Sequence, residues 1–552
     1  MSPIAGVITK DGTDAISQVV RMVETMRPDA TATHAVVNGN PKRMLQDAGR
    51  GEALGQVSFL AGAETPEQPY FNSSGIRGLL YDGQLYNFEL LATGIQDSPG
   101  HVEDSNSQLV ACLLGEHQGA LVERIRSVLE VLDGGYVLAV KGTRHTVIAR
   151  DSLGTRPLYF GHNHNFSAFA SNKKPLWQMG VDNVIPLRAG MMAAINEGGI
   201  EVGKALPLSQ GEPKITDLST AVECYRDALL SAVEKRLGDV DEVGVLLSGG
   251  VDSCLIAGVI NDLAVDHGIK LVAYTAGVSD SEDIGWAQDF AQQIGLECRV
   301  KELTHADVEA YIPEVIQTVE ERDFVQVEAG IGIYAAVEMA AHDGIEVLFS
   351  GQGADELWGG YEWYPEVLRK EGYPALCQKM WDDLSRADIE TLDRENKIAM
   401  ANGVETRFPY LDLEVVKVAL NTAPELKVDI SNRFGKIVHR LLASKLGISE
   451  EYAYRDKNAA QHGTGIHDVL KQTAVTNGFD APLVEHLGYS DDKITSERLG
   501  SSSRYGWRYA GGSLWQVPQP VQLFLDVMAY EQGLLNETER RRIRQFIEKL
   551  ES

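Results

Sequence analysis

The sequence predicts a two-domain protein, an α+β layered domain followed by an α/β domain built on a parallel sheet. Three observations predict it. Residues 1 to about 200 are dominated by short β-rich runs bounded by Gly, Asn and Asp. The segment ALPLSQGEPKITDLS, residues 205–219, carries Pro, Gly and Ser and breaks both periodicities, so it reads as a linker. From residue 220 onward strands alternate with helices, the pattern of a parallel sheet covered by helices. A chain of 552 residues is also too long for one ordinary core, and the expected division is 1–204, linker 205–219 and 220–552.

Each element follows in order. In the first half, IAGVIT, HAVVNG, QVSFLAG, GLLYDGQLYN, GYVLAVKG, TVIARDSLG and GMMAAINEGGIEV read as strands, and helical patterns interrupt them near 14–26 and 105–131. In the second half TAVECYRDALLSAVEKRLG has apolar residues at helical spacing. The strands EVGVLLSG, KLVAYTAGV, ECRVKEL and IEVLFSG follow, separated by helical stretches. The last ~150 residues read as mostly helical and end in ERRRIRQFIEKLE, whose arginines suit a solvated face.

Composition narrows the function classes. A formal net charge of −29 lacks the basic footprint that nucleic acid or an acidic membrane needs, so neither is an expected partner. No apolar run approaches the ~20 residues of a membrane helix, and the opening MSPIAGVITKDG has no basic start and no long apolar stretch of a secretory signal. Five scattered cysteines, with no CxxC pair, read as small buried hydrophobes in a reducing compartment. The expectation is a cytoplasmic protein.

The chemistry-bearing stretch is VGVLLSGGVDSC, Val243 to Cys254: a buried strand, a glycine turn and the start of a helix. Ligands of open parallel sheets bind beyond the C-terminal strand ends. Ser248, Gly249, Gly250, Asp252 and Ser253 sit at one such end. Glycines let backbone approach a phosphate, and the helix start offers free N–H groups. The lysine of the GxxxxGK[ST] loop is missing. The loop therefore suits phosphate held by backbone and hydroxyls, with Asp252 as a carboxylate for Mg²⁺. A tight turn without a ligand is the bland rival, and a lone Ser-Gly-Gly would leave it standing.

SGGVDS resembles the PP-loop motif of ATP pyrophosphatases, which adenylate a carboxyl or carbonyl group and release pyrophosphate. FSGQGADELWGGY (349–361), RENKIAMANGVETRFPYLD (394–412) and YRDKNAAQHGTG (454–465) resemble further motifs of the asparagine synthetase family, in matching order and spacing. The resemblance implies that an acceptor carboxylate attacks the α-phosphate of ATP and that an amine then displaces AMP. It assigns Mg²⁺ to Asp252 and Asp355, and catalytic roles to Lys457, Gln352 and Lys436. Lys457 would neutralise charge developing on phosphate and on the tetrahedral intermediate, and Lys436 would hold pyrophosphate. The adenosine would lie on backbone around Leu246, Leu247, Ala276 and Gly277, with Ser350 and Gly351 nearby. Bland readings compete: Asp355 and Glu356 as acids at a helix start, Glu405 and Arg407 as a structural ion pair, Lys436 as a solvated lysine. One position departs from the family. Where asparagine synthetases often carry a Glu, and related β-lactam synthetases a Tyr, this chain has Gln352, which cannot act as a base at neutral pH.

The first half resembles a class II glutamine amidotransferase domain of the Ntn type, an αββα sandwich, in IAGVI, YDGQLYN (81–87) and RDSLGTRPLYFG (150–161). Such domains normally begin Met-Cys-Gly-Ile, and the exposed cysteine attacks glutamine. This chain begins Met1-Ser2-Pro3-Ile4. The oxyanion-forming Asn-Gly pair reads Asp82-Gly83, and an acid there repels a developing oxyanion. The substrate-binding patch has become EDSNSQ (103–108), keeping Asp104. Ser2 is a weaker nucleophile than a thiol, so the expectation is a domain kept as a scaffold.

The leading reading is an amide-forming ligase that uses ATP and Mg²⁺, with aspartate as acceptor and ammonia as amine. A second is a β-lactam-synthetase-like or other amidoligase, with Glu328, Gln352, Tyr361 and Glu362 as candidates for the acceptor pocket. A third is an inactive nucleotide sensor or partner subunit, against which the retention of Asp252, Asp355 and Lys457 speaks. Small molecules are the expected partners, and a homodimer is compatible with the resemblance. Two roles fit the tail after about 500, including SRYGWRYAGGSLW: a cover for the active site or a dimer contact.

Overall fold

The computed structural model describes residues 2–12, 14–26, 34–36, 51–58, 78–94, 105–238, 240–430, 435–455, 463–489 and 518–550. The chain forms two compact units, Met1–Ser209 and Gln210–Ser552, so the division falls inside the segment 205–219. Beyond it the chain is built into the second unit. The amides of Lys214 and Ile215 donate to the Asn421 carbonyl at 2.8 Å, and the Ala423 amide donates to the Ile215 carbonyl at 2.8 Å.

The first unit contains, in chain order, β1 (Ile4–Thr9), β2 (His34–Val36), β3 (Glu52–Ser58), β4 (Gly78–Leu85), β5 (Gly134–Lys141), β6 (Thr146–Arg150), β7 (Tyr159–His162), β8 (Phe166–Ala170), β9 (Ile185–Pro186), β10 (Met191–Asn196) and β11 (Gly199–Lys204). They form two antiparallel sheets, ordered β2-β3-β1-β8-β7-β9 and β11-β10-β6-β5-β4. One apolar cluster joins the facing sides: Ile4, Ile8 and Phe169 from one sheet, Val137, Ile148 and Ala193 from the other. The helix Ala15–Thr25 covers the outside of the first sheet through Val19, Met22 and Val23. Helices Asn106–Glu116 and Leu121–Leu129 cover the second. The result is four layers, helix–sheet–sheet–helix. A strand in an inner layer is covered on both faces, which is why β1 is buried throughout instead of alternating. The helical pattern near 105–131 splits in two at His117–Ala120, where Gly119 takes φ +110.

The second unit holds β12 (Glu242–Leu246), β13 (Lys270–Val278), β14 (Glu297–Leu303), β15 (Val347–Phe349) and β16 (Glu405–Arg407). All pairings are parallel, in the order β14-β13-β12-β15-β16. The chain builds outward from β12 to β14 and then returns to the other side of β12 with β15. The strand order therefore reverses between β12 and β15, and a crevice opens beyond their C-terminal ends. The loops after these two strands are 247–250 and 350–353, the two stretches the sequence singles out. β16 is a strand where the sequence suggests only an ion pair between Glu405 and Arg407.

The helix Phe324–His342 is long and apolar enough to cross a membrane by composition, against the expectation that no such run exists. It is a core helix, with Phe324, Val327, Ile331, Ala335 and Ala340 buried within its own unit. Its apolar length serves burial on several sides. The cysteines also depart from expectation. Cys254 is buried, but Cys112, Cys224, Cys298 and Cys377 are only half-buried, and none of the five is in a disulfide. The residues after Leu384 are largely helical where described, ending in Gln519–Glu531 and Glu537–Leu550. Arg322 ties both of these helices to the body through Asp526 at 2.8 Å and Glu539 at 3.0 Å. SRYGWRYAGGSLW lies outside the described residues.

Candidate active site

The loop after β12 is built around its own hydroxyls. The Ser253 hydroxyl donates to the Gly250 carbonyl at 3.0 Å and lies 3.2 Å from the Ser248 hydroxyl. Gly249 takes φ +70, and a Cβ there would fall 2.3 Å from the Trp286 Cβ, so only glycine fits. Gly250 precedes the helix Val251–His267, whose first turn has no side-chain cap. Val251, Asp252 and Ser253 of that first turn line a cavity of about 240 Å³. An anion is what such a helix start lacks.

Leu246, Leu247, Ser248, Gly250, Asp252, Ser253, Ala276, Ser350, Gly351, Gln352, Asp355 and Lys436 all line that cavity. Two nominated residues do not. Gly249 turns behind the loop against Trp286, and Gly277 packs on the Thr464 backbone, where a Cβ would meet the Thr464 carbonyl at 3.1 Å. Both shape the cavity without lining it. Ala329, Gly332, Ile333 and Ala336 of the core helix add an apolar wall beside Ala276, suited to a flat heterocycle.

The electrostatic centre is Lys436. Its ammonium lies 2.6 Å from both carboxylate oxygens of Asp252 and 2.6 Å from Oδ1 of Asp355. It is buried, so the reading as a solvated lysine is wrong. Burial pulls this ammonium down, but Asp252 and Asp355 outweigh it and hold it above its ordinary range. Lys436 also takes φ +63, a left-handed backbone that a side chain of its size rarely adopts. Gly360 makes the room: a Cβ there would stand 1.9 Å from Asp355 Oδ1 and 2.0 Å from Lys436 Cε. That is the physical content of the paired glycines in GADELWGGY. His439 Nε2 lies 3.1 Å from Asp252 Oδ1, and burial depresses its pKa despite that carboxylate.

Asp252 and Asp355 thus face one cavity from two strand ends, each with side chains about one-fifth exposed, 23% and 21%. Two carboxylates beside a phosphate-sized opening fit Mg²⁺, which takes one or two protein oxygens and completes its shell with phosphate and water. No cluster of three or more His, Cys, Asp or Glu suited to a metal occurs among the described residues.

Several site residues are missing from the sequence reading. The Gln352 side-chain amide donates to Glu395, a buried carboxylate on the helix Asp393–Ala401. Burial raises the pKa of Glu395, with Ser350, Arg394 and Gln352 pulling the other way. Arg455 donates to the Ser248 carbonyl at 3.2 Å and to Asp283 at 3.2 Å, and its guanidinium lies 4.7 Å from the centre of the Trp286 ring. Burial pushes Asp283 up to about 6, against the pull of Arg455. Asp283 lies in no motif and carries no local signal, whereas Glu395 and Arg455 lie inside the stretches 394–412 and 454–465, which could have pointed to them.

Of the acceptor-pocket candidates, Glu328 and Gln352 line the cavity, and Glu328 is fully buried against His467. Tyr361 does not: its hydroxyl donates to Glu356 at 2.6 Å and its ring stacks on Trp363. Glu362 is exposed. Glu405 and Arg407 do pair, at 3.1 Å, on β16. Lys457 lies outside the described residues.

In the first unit the Ser2 amide donates to Asp82 Oδ1 at 2.7 Å, and Gln56 donates to the carbonyls of Ser2 and Tyr81, each at 2.9 Å. Asp82 is 2% exposed. The chain start and the Asp82-Gly83 pair therefore meet. The RDSLGT stretch is structural: Asp151 accepts from the amides of Tyr136, Leu153 and Thr155 at 2.9–3.1 Å. Asp104 lies outside the described residues.

A unit of two antiparallel sheets, with its chain start docked on Asp82, and a unit with a phosphate loop, two aspartates and a clamped lysine define a class: an amidotransferase-like domain joined to an ATP-dependent ligase domain. The asparagine synthase family model matches residues 224–379 and 369–526, and the glutamine amidotransferase domain model matches residues 1–194. The chain belongs to the asparagine synthase family and is an ATP-dependent ligase of that family. It is similar to a protein of Methanocaldococcus jannaschii named as a glutamine-hydrolysing asparagine synthetase, 29% identical over 78% of this chain and 86% of that one. Asparagine synthetase [glutamine-hydrolyzing] 2 of Arabidopsis thaliana is 28% identical over 76% and 72%. Among solved structures, the glutamine phosphoribosylpyrophosphate amidotransferase of B. subtilis aligns at 16% identity and a TM-score of 0.30, covering 50% of this chain and 67% of that one.

Proposed function

We propose that the protein converts a carboxylate, aspartate by default, to its amide with ATP and free ammonia, releasing AMP and pyrophosphate. The carboxylate oxygen attacks the α-phosphorus of ATP, and the bond from that phosphorus to the bridging oxygen breaks, so pyrophosphate leaves. Ammonia then attacks the acyl carbon, and AMP departs with the bonding pair. Lys436 and the uncapped helix start receive the charge that builds on pyrophosphate, which explains why the loop works without its own lysine. Mg²⁺, held by Asp252 and Asp355, would supply charge neutralisation across the phosphates.

Gln352 cannot take a proton, but its carbonyl can orient an incoming N–H while its amide is committed to Glu395. Glu395, raised by burial and bonded to the Gln352 amide, can accept the proton that ammonia sheds. The PP-loop pyrophosphatase and Ntn readings of the two units are part of this proposal.

The relatives are named glutamine-hydrolysing. The single observation that favours ammonia here is the hydrogen bond from Ser2 to the buried Asp82. The residue there is Ser in place of Cys, and its backbone nitrogen is bonded to a carboxylate where an amine must stay free to act as a base. A second reading, an amidoligase for another carboxylate or amine, draws on the Gln352–Glu395 pair, which suits a neutral amine as well as ammonia.

The test is product analysis by mass spectrometry with ATP, Mg²⁺ and aspartate, comparing ammonium with glutamine. Asparagine and AMP from ammonium alone are expected. Equal product from glutamine would overturn the account of Ser2 and Asp82, and no asparagine from either source would remove aspartate as the acceptor.

A further inference from the structure

The second unit contains another cavity, of about 200 Å³, behind the short helix Ala354–Trp358. Asp355 of that helix lines the nucleotide cavity, whereas Glu356 and Leu357 line this one. Met380, Trp381, Leu384 and Pro424 give it an apolar wall.

One side chain does not suit such a place. Lys427 lines the cavity, is 6% exposed, and has no carboxylate partner among the described residues. Its ammonium has only the face of Trp358, 5.6 Å from the ring centre. The cavity's own acids do not serve it: Glu356 accepts from the Tyr361 hydroxyl at 2.6 Å, and Glu212 is exposed. Burial pulls Lys427 down to about 8, with only the Cys377 thiol opposing, so the group is still mostly an ammonium at neutral pH. An unpaired buried charge is costly, and a cation–π contact of ~0.5–2 kcal/mol offsets a fraction of it. What the cavity lacks is an anion.

We propose that this cavity binds a small carboxylate with an apolar body, its carboxylate paired with Lys427 and its body against Met380, Trp381 and Leu384. One ammonium matches one negative charge. A phosphate would bring a second charge that nothing here neutralises, and it would waste the apolar wall. An amino acid would set its own ammonium beside Lys427. The site is distinct from the nucleotide cavity and independent of the reaction proposed above. From Lys427 the contacts run through Trp358 to Tyr225, with ring centres 4.2 Å apart, then to His439 at 2.8 Å, and only then to Asp252. An occupant is therefore an effector by position, not a reactant.

Competitive labelling of the full chain with trace acetic anhydride, read at Lys427 by peptide mass spectrometry, tests this directly. Benzoate and isobutyrate are the probes, and inorganic phosphate at equal ionic strength is the control. Labelling should be half-maximal near pH 8 without additive. At least one carboxylate should slow it about fivefold, the effect of four-fifths occupancy, with or without ATP and Mg²⁺, while phosphate does not. Calorimetric binding of that carboxylate should disappear in Lys427→Met and also in Leu384→Phe, which fills the cavity but keeps the ammonium. Equal labelling under all conditions, equal shielding by phosphate, or binding that survives both substitutions would overturn the proposal.

Discussion

At the scale of single residues, the site is governed by one cation between two anions. Removing Lys436 leaves Asp252 and Asp355 facing one cavity without their shared counter-charge. Lys436→Met is therefore expected to lower the rate of ATP–pyrophosphate exchange by about 10²-fold or more, with the fold retained by circular dichroism. Unchanged exchange would return Lys436 to a structural role. Asp283 supplies a pH dependence. Its carboxyl is pushed up to about 6 by burial, so it is ionised and paired with Arg455 above that pH and neutral below it. The sign for stability runs opposite to that of an ordinary ion-paired acid. The stabilising contribution of the neutral form is full below the unfolded value of 3.8 and is lost as pH rises through about 6. For function, kcat/KM for ATP should fall as pH drops through about 6, because Arg455 loses its anchor. Asp283→Asn should flatten that limb, and a limb that persists in this variant belongs to another group.

At the scale of elements, the short helix Ala354–Trp358 and the glycines after it set the geometry. Gly359 takes φ +81 and Gly360 lies under the Lys436 side chain, so the chain can turn sharply and still leave the clamp closed. Gly360→Ala puts a methyl group within 2.0 Å of Lys436 Cε and Asp355 Oδ1. It should raise KM for ATP at least tenfold, about 1.4 kcal/mol, with Tm moved by a few degrees. A variant with unchanged KM would show that the clamp can open without cost. The motifs were legible here because they are local: FSGQGADELWGGY is a strand, a loop and a helix in one stretch. Glu395 was not legible, because it reaches Gln352 only through the packing of the helix Asp393–Ala401. Tyr361 misled for the same reason: it sits in the motif, but its ring turns to Trp363.

At the scale of the molecule, the two units have different fates. The second brings Asp252, Asp355, the loop after β12 and Lys436 to one cavity, whereas the first carries Ser2 bonded through its amide to the buried carboxylate of Asp82. If these two residues are the whole difference, Ser2→Cys combined with Asp82→Asn should create glutaminase activity measurable by glutamate release, and Ser2→Cys alone should not. Activity in the single variant would show that Asp82 is no obstacle, and none in the double variant would point to further losses, such as Pro3 or the patch 103–108. The net charge of −29 belongs to this scale as well. Against it, the buried ammonium of Lys427, without a carboxylate partner among the described residues, is all the more conspicuous.

The sequence by itself determined the two-unit plan, the phosphate loop and the missing thiol, because each is written in contiguous residues whose spacing and chemistry are local. Tertiary structure alone decided that Lys436 is buried between two aspartates and that Glu395 stands behind Gln352. It also decided that Gly277 shapes the cavity without lining it and that Lys427 faces a second cavity. Those facts join positions tens to hundreds of residues apart, and burial, which gives each charge its meaning, exists only once the chain has closed around it.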